Sequence, residues 1–358
     1  MAAAAAAAVD PANETYRMSE TGAFLMEGFE IRHSGISSTP GTASKSVAVP
    51  RDAVRAAGNF RDTAVRIEVL GQGASGTVYK MVHVPTLTIV AAKMIPVYDQ
   101  QKRHLLAKEF KALYKNLAPF RASTHGGAAD LLSSTPCPYV VSFYDAFVEP
   151  SEGTISFVME YMDGGSLQDI IDTGGCASES ALANISWRVL KGLEFIHEKK
   201  QVHRDIKPSN LLISHNGDVK ISDFGLIREM ESTAEFAHTF VGTLTYMSPE
   251  RIAGDPYNCT SDIWSFGLTV LSVALGEFPM DVSGGYWTLL NRLRDEPPPT
   301  LPNDGSWSAE FMDFLRLSLL KDPKERPDAT TLLEHPFVRH CAPTPEEEAA
   351  ARAPEPPT

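Results

Sequence analysis

His203-Arg204-Asp205-Ile206-Lys207-Pro208-Ser209-Asn210 packs a carboxylate, an amine, an amide and a guanidinium into eight residues. That density is hard to explain as packing. Asp205 suits a group that accepts a proton from an attacking hydroxyl, Lys207 one that neutralises a phosphoryl oxygen, and Asn210 one that holds a divalent metal through its side-chain oxygen. The order fits phosphoryl transfer. A bare His-Arg-Asp triplet is more often a polar loop with an incidental Asp, and it is the full stretch that carries the chemistry.

Outward from this stretch, 358 residues with 43% hydrophobic and 22% charged side chains describe a globular chain with ample material for a core. The formal net charge of -13 argues against nucleic-acid or acidic-membrane binding by bulk attraction, since phosphate contacts need clustered Lys and Arg. Cys137, Cys176, Cys259 and Cys341 lie far apart without a C-x-x-C pair, so neither a zinc site nor a disulfide framework is suggested, and a reducing compartment fits best. The alanine run at the start has no basic residue before it and is interrupted by Asp10 and Pro11, unlike a signal peptide. The apolar run Ile263 to Leu275 is too short to span a membrane and reads as a buried core helix.

Residues 1–64 are rich in Ala, Ser, Thr and Gly without sustained periodicity and read as a mostly flexible extension. Met18 to Ile36, with Phe24, Leu25, Met26, Phe29 and Ile31, is the exception and suits a short ordered segment. Order is expected from Val65, where Ile67 and Val69 alternate with charges and lead into Gly71-Gln72-Gly73-Ala74-Ser75-Gly76-Thr77-Val78. Three glycines let a backbone approach phosphates and aim its N–H groups at them, and Val78 can cover an adenine ring. G-x-G-x-x-G also marks dinucleotide-binding folds, but there the last glycine opens a helix. Here Thr77-Val78-Tyr79 continues as a strand, which favours a hairpin.

Lys93 stands alone as a cation inside the apolar run Thr88-Ile89-Val90-Ala91-Ala92-Lys93-Met94-Ile95, where it needs to snorkel or to be paired. Glu109 is the candidate partner, set close to the stripe of Leu106, Phe110, Leu113 and Leu117 at helical spacing. Residues 119–138 read as a surface insertion. Strands are expected at Tyr139 to Phe147 and Thr154 to Tyr161, followed by a glycine turn. Leu182, Ile185, Val189, Leu193 and Ile196 make a helical stripe that delivers the chain to His203. A hairpin then turns at His215-Asn216-Gly217-Asp218 and ends on Asp223-Phe224-Gly225. A carboxylate at that strand end, opposite Asn210, gives a second oxygen ligand for magnesium, with phosphates supplying the rest.

The eight residues around Asp205 resemble the catalytic loop of eukaryotic protein kinases, and Lys207 resembles the serine/threonine and dual-specificity branches. Met159-Glu160-Tyr161-Met162-Asp163-Gly164-Gly165-Ser166-Leu167 and Tyr246-Met247-Ser248-Pro249-Glu250-Arg251-Ile252 are similar to MAP kinase kinases, over residues 65 to 340. The resemblance implies an α+β bilobal protein kinase fold, with a small antiparallel lobe over 65–161, a mainly helical lobe over 162–340 and a disordered tail over 341–358. It implies ATP and Mg2+ as cofactors, with Leu70, Gly71, Gly73, Gly76, Val78, Ala91, Lys93, Glu109, Met159, Glu160, Met162 and Leu212 around the nucleotide. Asp205, Lys207 and Asn210 would act in catalysis, and Asn210 and Asp223 would hold metal. Glu250 is expected to pair with Arg326, and Asp262 to hold the catalytic-loop backbone. The implied partners are a MAP kinase substrate and an upstream MAP kinase kinase kinase, with no nucleic acid and no membrane span, in the cytoplasm and also the nucleus.

Thr233 and Thr239 are separated by five residues, which resembles the plant-type spacing of activating phosphorylation sites, and Ser232 is a substitute for the first. Arg204 lacks an obvious local partner and is the cation a phosphate there would meet. Two departures stand out: the N-terminal extension has no basic cluster followed by spaced aliphatics, and the insertion at 119–138 is long. A serine/threonine kinase outside the MAP kinase cascade and a pseudokinase scaffold remain alternatives, although retention of Lys93, Glu109, Asp205, Asn210 and Asp223 argues against the scaffold.

Overall fold

In the computed structural model, the residues described are 16–19, 23–26, 29–32, 34–38, 60–73, 76–96, 137–223, 245–281 and 285–342. The chain divides into two compact units, one of Met1–Pro136 with Val141–Tyr161 and one of Cys137–Val140 with Met162–Thr358. Glu109, Thr233, Thr239, the insertion over 119–136 and the tail over 343–358 lie outside the described residues.

The first unit opens with strands β1 (Tyr16–Met18), β2 (Phe24–Met26), β3 (Phe29–Arg32) and β4 (Gly35–Ser38), antiparallel in the order β1-β2-β3-β4. Composition indicated at most a short ordered segment here. The strands form a cross-strand row in which Phe24 opposes Ile31, and Ile31 opposes Ile36, with Phe24 and Ile31 fully buried. A short helix α1 (Phe60–Thr63) follows, so regular structure begins before Val65. Arg61 anchors this helix by Nε donating to Glu149 Oε2 at 2.7 Å.

The main sheet of this unit comprises β5 (Ala64–Gly73), β6 (Gly76–His83), β7 (Thr88–Pro96), β8 (Phe143–Glu149) and β9 (Thr154–Glu160), in the antiparallel order β5-β6-β7-β9-β8. The edge strand β5 exposes Val65, Ile67 and Val69, whereas the inner strand β7 is buried from Val90 to Ile95. Phe60, Met81, Val90, Ala92, Phe147 and Val158 form one core cluster. The expected strand Tyr139 to Phe147 is divided: β8 starts at Phe143, while Val140 belongs to the second unit and bridges Ile221 there.

In the second unit, α2 (Leu167–Asp172) is capped by Ser166, whose N–H and hydroxyl both donate to Asp169 Oδ2 at 2.7 Å. α3 (Glu179–Glu198) starts at Ser178, whose hydroxyl accepts from Ala181 N–H, and it buries Leu182, Val189, Leu193 and Ile196 as the spacing predicts. A 3-10 turn at Pro208–Asn210 leads into the hairpin β10 (Leu211–Ile213) and β11 (Val219–Ile221). α4 (Pro249–Ala253) is closed by Gly254 in the left-handed region.

α5 (Thr260–Leu275) is buried on every side from Thr260 to Ala274. Its polar members are compatible with that burial because Thr269 and Ser272 donate to carbonyls one turn back, at 2.8 Å each. Each fully buried Ile, Leu or Phe along it stabilises the unit by roughly 1.5–3 kcal/mol. α6 (Gly285–Asp295), α7 (Ala309–Ser318) and α8 (Ala329–Leu333) complete the unit. Among the described residues no helix is long and apolar enough to cross a membrane.

Candidate active site

The loop between α3 and β10 brings two polar side chains of the opening stretch, those of Lys207 and Asn210, onto the Asp205 carboxylate. Lys207 Nζ donates to Asp205 Oδ1 at 3.1 Å and Oδ2 at 2.9 Å. Asn210 Nδ2 donates to Asp205 Oδ2 at 2.9 Å and to its carbonyl at 2.7 Å. Both contacts of Asn210 use the amide nitrogen, and no hydrogen bond from a described residue engages its Oδ1. That oxygen is therefore the atom suited to a hard cation.

The backbone of the loop is clamped by a buried carboxylate. Asp262, on the buried helix α5, accepts the N–H of His203 through Oδ2 and that of Arg204 through Oδ1, at 2.8 Å each. Its Oδ2 also meets His197 Nε2 at 2.9 Å. Burial alone would raise the Asp262 carboxyl, but the His197 hydrogen bond, the electrostatic influence of His197 and His203 and the Arg204 N–H together outweigh it and hold the carboxyl below its ordinary value. Arg204 adopts φ 72 and Asp223 φ 50, both in the left-handed region that side chains other than glycine seldom occupy.

Asp223 is placed by its neighbour. Ser222 N–H and hydroxyl donate to the Asn210 carbonyl at 2.9 and 3.0 Å, and the Ser222 carbonyl meets His203 Nε2 at 3.0 Å. The two expected metal-holding residues thus lie on segments stitched directly together. Leu212 pairs with Lys220 and bridges Ser166, and Met162 is buried in the same unit.

In the first unit, pairing register collects the remaining nucleotide candidates. Gly71 opposes Val78, Val78 opposes Lys93, and Ala91 opposes Met159. Ala91 and Lys93 are two apart on one strand, so Gly71, Val78, Ala91, Lys93 and Met159 share a face of the sheet. Lys93 is only 2% exposed, as a cation inside an apolar strand requires when it is held by partners. Leu70 lies half-open on the edge strand. The Glu160 N–H is already used in donating to the Ser142 carbonyl at 2.9 Å, which leaves the Glu160 carbonyl as its candidate contact.

The three glycines serve different ends. A Cβ on Gly76, at φ 146, would lie 2.1 Å from the Met94 carbonyl oxygen, so the fold itself demands glycine there. Gly71 and Gly73 have no atom of another described residue, chain neighbours aside, within 4 Å of a built Cβ. Among the described residues no packing requires them, which fits a backbone kept bare for a ligand.

Sequence reasoning located Glu250 and Arg326 correctly as a pair, with Arg326 Nη1 donating to Glu250 Oε1 at 2.8 Å while both are buried. Burial raises the Glu250 carboxyl and Arg326 more than reverses it. It missed Arg251 and Tyr257. Arg251 Nη1 donates to the Arg204 carbonyl at 2.8 Å, and the guanidiniums of Arg204 and Arg251 lie 5.2 and 5.4 Å from the Tyr257 ring centroid. Arg204 Nε is buried without a hydrogen-bond partner among the described residues. The signal for Arg251 was only its adjacency to Glu250, and Tyr257 gave none.

A family model described as protein kinase domain matches residues 64–338. Mitogen-activated protein kinase kinase 2 of Arabidopsis thaliana is 41% identical over 280 residues, covering 76% of this chain and 71% of that protein. Mitogen-activated protein kinase kinase SIPKK of Nicotiana tabacum is 36% identical over 339 residues, covering 92% and 88%. Mitogen-activated protein kinase kinase 3 of Arabidopsis thaliana is 40% identical over 270 residues, of which the chain spans 75% of itself but only 48% of the relative.

Proposed function

The chain belongs to the protein kinases and, within them, to the MAP kinase kinases, and on that premise we propose that it phosphorylates both the Thr and the Tyr of a MAP kinase activation segment. The observation that carries the reading is the convergence of Lys207 and Asn210 on the Asp205 carboxylate, over a loop backbone fixed by buried Asp262.

Protein kinases use ATP and Mg2+, and the donor set here fits them: the Asn210 amide oxygen and the Asp223 carboxylate are hard oxygen ligands on adjoining segments. When bound, the magnesium neutralises phosphate charge and orients the transferring group. Asp205 would orient the acceptor hydroxyl and take its proton, and Lys207 would move from the carboxylate to the transferring phosphoryl group as charge develops there. Lys93 would hold the phosphates and Glu109 would hold Lys93. The bare backbone at Gly71 and Gly73 would cover the phosphates, while Val78, Ala91, Met159, Met162 and Leu212 would enclose the base.

Activation is assigned to phosphorylation of Thr239 and Thr233 by an upstream MAP kinase kinase kinase. What supports it is Arg204, whose buried Nε is unsatisfied among the described residues and whose guanidinium shares the Tyr257 ring with a second cation. A phosphate of charge about -1.5 to -2 would balance that concentration of positive charge. We place the kinase in the cytoplasm and nucleus, with catalytic activity within residues 65–340.

The test is phosphorylation of a folded, inactive MAP kinase against an unstructured peptide carrying its Thr-x-Tyr motif. The folded protein is the better substrate on this reading, with phosphate on both residues; equal efficiency with the peptide would refute the substrate assignment. Thr233→Ala with Thr239→Ala should abolish activation by the upstream kinase without unfolding the protein.

A further inference from the structure

A carboxylate buried without a cation is costly, and Asp145 on β8 is 5% exposed with no ion-pair partner among the described residues. Its Oδ1 accepts the N–H of Ala146 at 2.8 Å, and the backbone N–H of Ile36, on strand β4, also hydrogen-bonds the group. Gly35 sits over it: a Cβ on that residue would lie 3.2 Å from Asp145 Oδ2 and 3.3 Å from Oδ1. Gly35 also adopts φ 107, a conformation open to glycine and strained for other residues. Strands β3 and β4 both pack on β8.

The sheet β1–β4 has strands of three and four residues, yet Phe24 and Ile31 within it are fully buried. A sheet so small cannot enclose side chains by itself and needs a surface to lie on. β8 is that surface, and β8 in turn holds the far end of β9. Phe143 opposes Met159 and Asp145 opposes Val158. Ser142 and Glu160 exchange two bonds, Glu160 N–H to the Ser142 carbonyl at 2.9 Å and Ser142 N–H to Glu160 Oε2 at 3.1 Å.

We propose that the N-terminal sheet is a strap across β8, locked where Asp145 grips Gly35 and Ile36, and that Asp145 is thereby a positioning residue for the end of β9 that carries Met159 and Glu160. The consequence for nucleotide binding rests on the kinase reading above; the lock itself does not. The strap acts through strand register and touches no reacting atom.

The test uses the full chain carrying Gly35→Val, whose side chain must displace the Asp145 carboxylate, with Asp145→Ala as a second route to the same release. Amide hydrogen exchange is read at Phe24, Ile31, Ile36 and Ala146, and Mg-ADP binding by calorimetry. Both variants should lose protection at those amides by about ten-fold or more while α3 and α5 keep theirs. Mg-ADP affinity should fall several-fold, and KM for ATP should rise with kcat at saturation within about two-fold. Unchanged protection would overturn the strap, and lost protection with unchanged Mg-ADP affinity would overturn its coupling to β9. Wild-type protein that binds no Mg-ADP would refute the kinase reading and that coupling together, leaving the exchange data to decide the lock.

Discussion

Two buried carboxylates, one in each unit, meet opposite fates. Asp262 is 1% exposed and its carboxyl lies below the ordinary value; Asp145 is 5% exposed and burial pushes its carboxyl up to about 7. The difference is in the company each keeps. Asp262 has His197 and His203 beside it and two backbone N–H groups aimed at it, whereas among the described residues Asp145 has only the N–H groups of Ala146 and Ile36 to set against desolvation. Burial therefore fixes a carboxylate as an anchor where enough donors converge on it, and leaves it a group that changes charge where they are few.

Removing the cation from a paired carboxylate should convert the first kind into the second. Arg326→Met leaves Glu250 buried with Ser261 as its remaining side-chain donor. The expected loss of stability is about 3–5 kcal/mol, read from the denaturant midpoint of the variant. A loss under about 1 kcal/mol would show that the pair contributes far less than its burial implies.

Removing the anchor itself should cost activity as well as stability. Asp262→Ala orphans the N–H groups of His203 and Arg204, at about 1–3 kcal/mol for each donor left unsatisfied. The loop carrying Asp205 would lose its fixed geometry, so kcat should fall by about ten-fold or more with KM for ATP little changed. Equal kcat would mean that the Asp205 cluster holds itself together without the clamp.

The smallest effect separates the two carboxylates by pH. The Asp145 carboxyl rises from an ordinary 3.8 to about 7, so the folded chain keeps a proton that the exposed group releases. Its contribution to stability is complete below about 4 and is lost as pH rises towards about 7. Protection at Ile36 should accordingly weaken between pH 5.5 and pH 8 relative to Asp145→Asn. The carboxyl of Asp262 is lowered, so its contribution is present above 3.8 and is lost as pH falls through the depressed value. Amides of His203 and Arg204 should therefore show no such weakening over the neutral range.

The same pair of residues explains what could be read in the sequence. The Asp205 loop was legible because its reactive groups are contiguous, and chemistry that needs a carboxylate, an amine and an amide within five positions leaves a local mark. Asp262 became legible through the residues that follow it, in a stretch resembling a known family. Asp145 carried no such mark. Nothing local to Tyr144-Asp145-Ala146 tells that a glycine far earlier in the chain will cover the carboxylate, since the lock is made of one side chain, one backbone N–H and the absence of a Cβ. The strand sheet of residues 16–38 was obscured for a related reason, its apolar residues being too few to show sustained alternation. β8 was misjudged at its start because Val140 continues the apolar pattern while pairing with Ile221 instead.

The central claim is that Asp205 serves phosphoryl transfer to a MAP kinase. Wild-type protein and Asp205→Asn, each activated by an upstream MAP kinase kinase kinase, are incubated with Mg-ATP and a folded inactive MAP kinase, and phosphate on the substrate Thr and Tyr is followed by mass spectrometry. The wild type should modify both residues, and Asp205→Asn should lower turnover by about two or more orders of magnitude while Mg-ADP binding survives. Near wild-type turnover in Asp205→Asn would contradict the account.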